Sequence, residues 1–269
     1  MLTATTLAGD LTAMRLDVPA STRPPILFIH GLFGGAWQFE ALQCWFADHG
    51  YSSVAINLRG HHASRPVPDI GNVSVLEYVD DALGAARDMA RPIVFGHSMG
   101  GFIAQKLAEC DAVCAAVLVC AAPPGGISVV SPSLFVRQMK HAPSILFSRP
   151  LIMDRADADA LVFNCVPPER HAALFARFVP DSGRVGRELT LGAVAVDERR
   201  VRCPVASIAA TEDRFVVPRV ARALAQKYRG AYREFEEHGH YIIAEPGWDV
   251  MAEEIESWLS QHALVANDA

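Results

Sequence analysis

The sequence predicts an α/β fold, a mostly parallel sheet with helices on both faces and an inserted helical segment. Three observations carry that expectation. Short apolar runs recur without the polar alternation of half-exposed strands, which suits strands covered on both faces. Stretches of helical periodicity separate these runs, the rhythm of βαβ units. Between Gly126 and Arg202 the rhythm gives way to mixtures of Pro, Phe and charged residues, and it resumes afterwards.

The first run, Pro25 to His30, ends at the Gly-rich turn GLFGG, and a helical pattern follows from Ala36 to His49. Ser53 to Leu58 reads as a strand. Val75 to Ala90 reads as a helix, with apolar positions at Val75, Leu76, Val79, Ala82, Leu83 and Ala86. The strand Pro92 to Gly96, the helix Met99 to Glu109 and the strand Ala112 to Ala121 come next. After the inserted segment the chain offers a strand at Val205 to Ala210, a helix from Pro218 to Tyr228, a strand at Tyr232 to Glu236 and a closing amphipathic helix around Val250 to Leu259. No element is assigned before Pro25.

With 269 residues, the chain can bury roughly three quarters of its unfolded surface, so a large core needs no covalent staples. Hydrophobic residues make up 51% and charged residues 20%, a globular composition with no stretch of 18 uncharged apolar residues. The net charge of -6 and the absence of basic runs argue against nucleic acid as a partner. Cys44, Cys110, Cys114, Cys120, Cys165 and Cys203 show neither CxxC pairing nor zinc-finger spacing, and are expected as buried free thiols. The N-terminal MLTATTLAGDLTAMRLDV lacks the features of a signal peptide, so a cytoplasmic location is expected, with no membrane span.

The most informative stretch is GHSMGG, Gly96 to Gly101, where an apolar strand must reverse into a helix. That context fits a G-x-S-x-G nucleophile elbow presenting Ser98 into a cleft. A serine hydroxyl is a weak nucleophile near neutral pH, so a histidine base and an orienting carboxylate should occur later in the chain. Asp213 follows the strand Val205 to Ala210, at the cleft edge; Glu212 and Asp197 are its rivals. His240 follows the strand Tyr232 to Glu236, with His238 as competitor two residues away.

HGLFGGAW (His30 to Trp37), NLRGHHAS (Asn57 to Ser64), GHSMGG, TEDRFVVP and HGHYIIAEPG, in this order and spacing, resemble an α/β-hydrolase-fold protein of the serine-nucleophile, esterase- and lipase-like branch. The resemblance runs from near residue 20 to near residue 262. It implies an eight-stranded type of sheet, a core at 1–124 and 203–269, and a helical cap at 125–202. It further implies an oxyanion hole formed by the backbone amides of Leu32 and Met99, with Phe33 as the fallback donor. NLRGHHAS departs from the family's usual D-x-R-G-x-G-x-S at Asn57 and at His62, changes expected to adjust loop geometry.

Serine at the elbow, where epoxide- and halide-displacing relatives carry aspartate, points to acyl transfer with water as second substrate. The expected substrate is a small-molecule ester, lactone or thioester of mostly apolar character. Phe33, Phe135, Met139 and Tyr241 are candidate substrate contacts, and one of Arg137, Arg149, Arg177, Arg184 and Arg187 is a candidate grip for a carboxylate. No metal and no cofactor is expected; a homodimer stays open. A C–C bond hydrolase, a cofactor-free perhydrolase and a slow-turnover ligand receptor are the competing functions.

Overall fold

The computed structural model describes residues 1–128, 137 and 139–262. The chain begins with a hairpin, β1 (Thr3–Leu7) and β2 (Leu11–Leu16), antiparallel to each other. Then come β3 (Ile26–Ile29), α1 (Glu40–Asp48), β4 (Ser53–Ile56), α2 (Val75–Arg87), β5 (Ile93–His97), α3 (Met99–Glu109) and β6 (Ala115–Val119). After the segment that separates them from β6 lie β9, the strand Val205–Ala210, and β10, the strand Ala231–Phe235. The eight strands form one sheet in the order β1-β2-β4-β3-β5-β6-β9-β10, and every pairing from β4 to β10 is parallel.

The apolar runs work as their pattern required. Along β3, Ile26 and Phe28 enter one core while Leu27 and Ile29 enter the other; on β6, Val117 and Val119 alternate in the same way with Ala116 and Leu118. The pleat sends successive side chains to opposite faces, so a strand apolar throughout supplies both layers. Phe39, Leu42 and Phe46 cover one face together with Ile255 and Trp258 from the closing helix Trp248–Gln261. The other face packs on α2 and α3 through Tyr78, Val79, Phe102, Ile103 and Leu107. A capping box fixes the start of α2, because Ser74 and Glu77 each satisfy an amide of the other's turn.

The N-terminal hairpin is absent from the sequence expectation. TATTL is polar on both faces and lies at the sheet edge, so it carries none of the continuous apolar signal of the inner strands. The cysteines also differ from expectation. Cys120 is buried, but Cys44 and Cys110 are exposed and Cys114, Cys165 and Cys203 are intermediate, since apolar neighbours in sequence do not place a residue on the inward face of a helix or turn. Among the described residues, no helix is long and apolar enough to cross a membrane.

The chain between β6 and β9 holds α4 (Ala142–Leu146), β7 (Pro150–Leu151), α5 (Pro168–Phe175), β8 (Asp181–Ser182) and α6 (Gly183–Thr190), with β7 and β8 paired as a small antiparallel ribbon. Asp181 in β8 is fully buried and binds Phe33 and His61 in loops and Tyr78 on α2, all of which precede β6 in the chain. Those contacts prove central to the site.

Candidate active site

The parallel strands all point their carboxyl ends to one edge, and the chemistry-bearing residues follow those ends. Ser98 comes directly after β5, with φ 55° and ψ −118° at the junction with α3. The bend is so tight that a Cβ on Gly96 would lie 2.2 Å from the Gly100 carbonyl oxygen, and one on Gly100 would lie 2.1 Å from that of Ile29. Only glycine fits at both places. The strained residue is held by its own backbone, its amide donating to Val119 at 3.0 Å and its carbonyl accepting from Gly101 and Ala122 at 2.9 Å each.

His240 Nε2 lies 3.0 Å from Ser98 Oγ, and His240 Nδ1 lies 2.8 Å from Asp213 Oδ2. Asp213 Oδ1 accepts from the amides of Phe215 and Val216, both at 2.7 Å, which fixes the carboxylate plane. All three side chains are buried. The sequence-level rivals stand elsewhere. His238 bonds Glu245 at 3.0 Å, Glu212 is exposed, and Asp197 caps a helical turn and pairs with Arg199.

Leu32 and Met99 present amides for which the described residues provide no acceptor. Phe33 is different: its amide donates to Asp181 Oδ2 at 2.9 Å, so the fallback donor is already committed. Asp181 is a residue that sequence reasoning missed. Its two oxygens also accept from Tyr78 Oη at 2.9 Å, from the Ser182 amide at 2.7 Å and from His61 Nε2 at 2.9 Å. His61 Nδ1 faces the Arg59 carbonyl at 3.0 Å. Both ring nitrogens thus meet acceptors, as suits an imidazolium.

Burial alone would lower the His61 pKa, but the Asp181 charge and hydrogen bond outweigh it and raise it; the same pairing, set against burial, holds the Asp181 carboxyl below its ordinary value. His30, with its ring centroid 4.8 Å from that of His61, behaves oppositely. Its Nδ1 donates to the Gly31 carbonyl at 2.8 Å and its Nε2 accepts from the Leu58 amide at 3.2 Å, both possible only in the neutral ring. Burial, aided by the His61 charge, lowers its pKa to about 3. One neutral and one paired histidine thus brace the turn carrying Leu32.

Two cavities meet at Ser98. The larger, about 960 Å³ counted to its open mouth, has walls that include Leu32, Met99, Ile145, Leu161, Leu189 and Val216. His141 and Asp157 are its main polar members, and they face each other at 3.1 Å. The smaller, about 380 Å³, is lined by His240, His97, Gln38, Tyr241 and Phe178 among others. Phe33 borders both cavities, and Tyr241 borders the smaller. Met139 is 61% exposed and is not among the lining residues, and Phe135 lies outside the described residues. None of the five candidate arginines lines either cavity; Arg137, Arg177 and Arg184 pair with Asp157, Glu40 and Glu188.

Two groups of side chains have metal-ligand spacing among the described residues: Cys120, Asp213 and His240, and His141, Asp154 and Asp157. In the first, the two ring nitrogens of His240 are engaged by Asp213 and Ser98, and burial together with the Asp213 charge keeps the Cys120 thiol protonated. In the second, the Lys140 ammonium already pairs with both aspartates. Elsewhere His62 adopts φ 50°, which explains why a flexible residue is usual there, and Asn57 Oδ1 accepts from the Ala36 amide at 2.7 Å. Both departures from the usual motif act on loop geometry.

An eight-stranded, mostly parallel sheet with a serine at this turn defines an α/β hydrolase, and the chain belongs to the alpha/beta hydrolase family, whose model matches residues 26–254. It is similar to a monoacylglycerol lipase of Paleococcus ferrophilus, with a TM-score of 0.74, 23% identity, and coverage of 94% of this chain and 99% of that one. It is 35% identical over 109 residues to a non-heme chloroperoxidase of Burkholderia pyrrocinia, spanning 37% of this chain and 38% of that protein. It is 29% identical over 109 residues to a triacylglycerol lipase of Burkholderia plantarii, spanning 38% and 30% respectively. The chain therefore spans about a third of the length of these curated relatives.

Proposed function

We propose that the chain is a serine hydrolase that cleaves carboxylic esters, lactones or thioesters through an acyl-enzyme. The observation that carries this reading is the hydrogen-bonded series from Asp213 through His240 to Ser98, ending on a hydroxyl in a strained turn between two cavities. His240 takes the proton as Ser98 Oγ attacks the substrate carbonyl, and Asp213 orients the ring and stabilises its charge. The amides of Leu32 and Met99 bind the oxyanion, an interaction worth about 3 kcal/mol of transition-state stabilisation per donor. His240 then returns the proton to the leaving group, and water repeats the steps in reverse order to release the acid. Residues 125–202 act as a cap on a core of residues 1–124 and 203–269.

Hydrolysis of p-nitrophenyl acetate and butyrate tests the proposal. Retention of more than half of that turnover in Ser98→Ala would overturn it. The chloroperoxidase relative raises a second reading, perhydrolysis, in which hydrogen peroxide replaces water and an acyl-enzyme is released as a peracid. Bromination dependent on both acetate and peroxide, exceeding ester hydrolysis, would favour that reading. Covalent labelling of Ser98 by a fluorophosphonate with no turnover of any ester would instead favour a receptor.

A further inference from the structure

His240 and Ser98 come from distant parts of the chain, one from the loop after β10 and the other from the turn after β5, yet proton transfer between them needs a fixed separation. Asp213 orients the His240 ring; the backbone that carries the ring has to be held as well. On one side the holder is Glu245, whose Oε2 accepts from the Gly239 amide at 2.9 Å and meets His238 Nδ1 at 3.0 Å. On the other side it is the residue that immediately precedes the nucleophile.

His97, the last residue of β5, is 3% exposed, and its Nε2 lies 2.8 Å from the His240 carbonyl oxygen. A carbonyl oxygen only accepts, so Nε2 carries the hydrogen and Nδ1 is left as an acceptor. Nδ1 has no partner among the described residues; it packs against the oxyanion turn, where a Cβ on Gly31 would lie 3.4 Å from it and 2.9 Å from Ser98 Cβ. One ring therefore stands where three segments meet: the elbow of Ser98, the loop of His240 and the turn of Leu32. Its centroid is 5.0 Å from that of the His240 ring, and the Tyr241 ring meets it edge-on at 6.2 Å. Burial, and after it the neighbouring His240, push its pKa down to about 3, so the bond is made by a neutral ring. A buried acceptor without a partner costs stability, a cost that an apolar side chain of similar size would avoid. The bond to the His240 carbonyl is what such a side chain could not supply.

We infer that His97 is a positioning residue for the reaction, tying the His240 backbone to the strand that presents Ser98 so that base and nucleophile keep their 3.0 Å separation. It acts through His240 and not on the substrate. The inference rests on the serine-hydrolase reading of the site. Its physical basis is that a misplacement of about 1 Å in a reacting pair can lower a rate by about 10²-fold, and a loop held on the Glu245 side alone is free to make such a shift.

The experiment compares p-nitrophenyl butyrate hydrolysis by the wild type and two variants. His97→Met keeps the bulk and loses the donor, whereas His97→Gln keeps an amide nitrogen at the reach of Nε2 and, like the ring, one acceptor. His97→Met is expected to lower kcat by about 10²-fold with KM within about twofold of the wild type, the pattern of lost alignment with binding intact. His97→Gln should recover at least about tenfold of that loss, the rate equivalent of one hydrogen bond. A kcat in His97→Met within about twofold of the wild type, or no recovery in His97→Gln, would overturn the proposal. Should the wild type cleave no ester, the rate at which a fluorophosphonate labels Ser98 is read instead. The same order of the three proteins would then uphold the positioning role and reject the hydrolase reading, and equal rates would reject the role. Nitrogen-15 NMR of the histidine-labelled wild type, which requires no variant to fold, should show a neutral His97 ring with its hydrogen on Nε2, and a hydrogen on Nδ1 would overturn the proposal as well.

Discussion

Ser98, His240 and Asp213 should not contribute equally to turnover. In the proposed reaction Ser98 is the nucleophile and His240 the base, so alanine at either position is expected to lower kcat on p-nitrophenyl butyrate by about 10⁴-fold or more. Asp213→Asn should cost less, because its amide oxygen can still accept from the Phe215 and Val216 amides and keep the loop in place. Steady-state kinetics of the three variants, with circular dichroism to establish folding, checks the order. A larger loss in Asp213→Asn than in Ser98→Ala would contradict the assigned roles. At this scale the sequence was highly legible: Ser98, Asp213 and His240 each sit in a short motif at a strand end, and the structure brings them within hydrogen-bond distance. Asp181 was not legible, because a carboxylate between Pro180 and Ser182 has no motif around it and its partners His61 and Tyr78 are more than 100 positions away.

Among the elements, the short strand β8 has an importance out of proportion to its two residues. Through Asp181 it ties the segment between β6 and β9 to His61 and to the amide next to Leu32. Asp181→Ala would leave a buried imidazolium without its counter-ion and three other donors without their acceptor, and removing one partner of a buried pair typically costs about 3 to 5 kcal/mol. Urea unfolding should therefore show a lower midpoint with an unchanged m-value. A change below about 1 kcal/mol would show that His61 simply gives up its proton at no further cost. The sequence marks its elements unequally. Inner strands and the helices α2 and α3 were legible from apolar periodicity, whereas the β7 and β8 ribbon and the β1 and β2 hairpin were not, since each is short or polar and owes its position to what it pairs with.

For the molecule as a whole, buried histidines set a pH dependence. His30 and His97 both have pKa values lowered to about 3 by burial, against 6.5 unfolded. The unfolded chain therefore binds more protons than the folded one between pH 6.5 and about 3, and the stability these rings contribute is complete above pH 6.5 and lost as the pH falls through that window. His61 has the opposite sign: its raised pKa makes a contribution that is complete below pH 6.5 and declines as the pH rises through the raised value. With two rings against one, urea midpoints should fall more steeply on the acid side, by up to about 1.4 kcal/mol per pH unit for each lowered ring. Midpoints measured at pH 4.5, 6.5 and 9 check this, and a protein as stable at 4.5 as at 6.5 would contradict it. The layered sheet was legible because strands buried on both faces need apolar side chains at every position; the pH behaviour was not, because it depends on neighbours that only folding brings together.

The bond from the Phe33 amide to Asp181 has a further consequence for how such a protein can diversify. An exchange of the segment between β6 and β9 for that of another lineage would have to import an acidic residue at the same point, or the turn holding Leu32 would lose its anchor. Recombination at this junction is therefore not modular, and new specificities are more accessible through point changes in the lining of the cavities than through wholesale grafts.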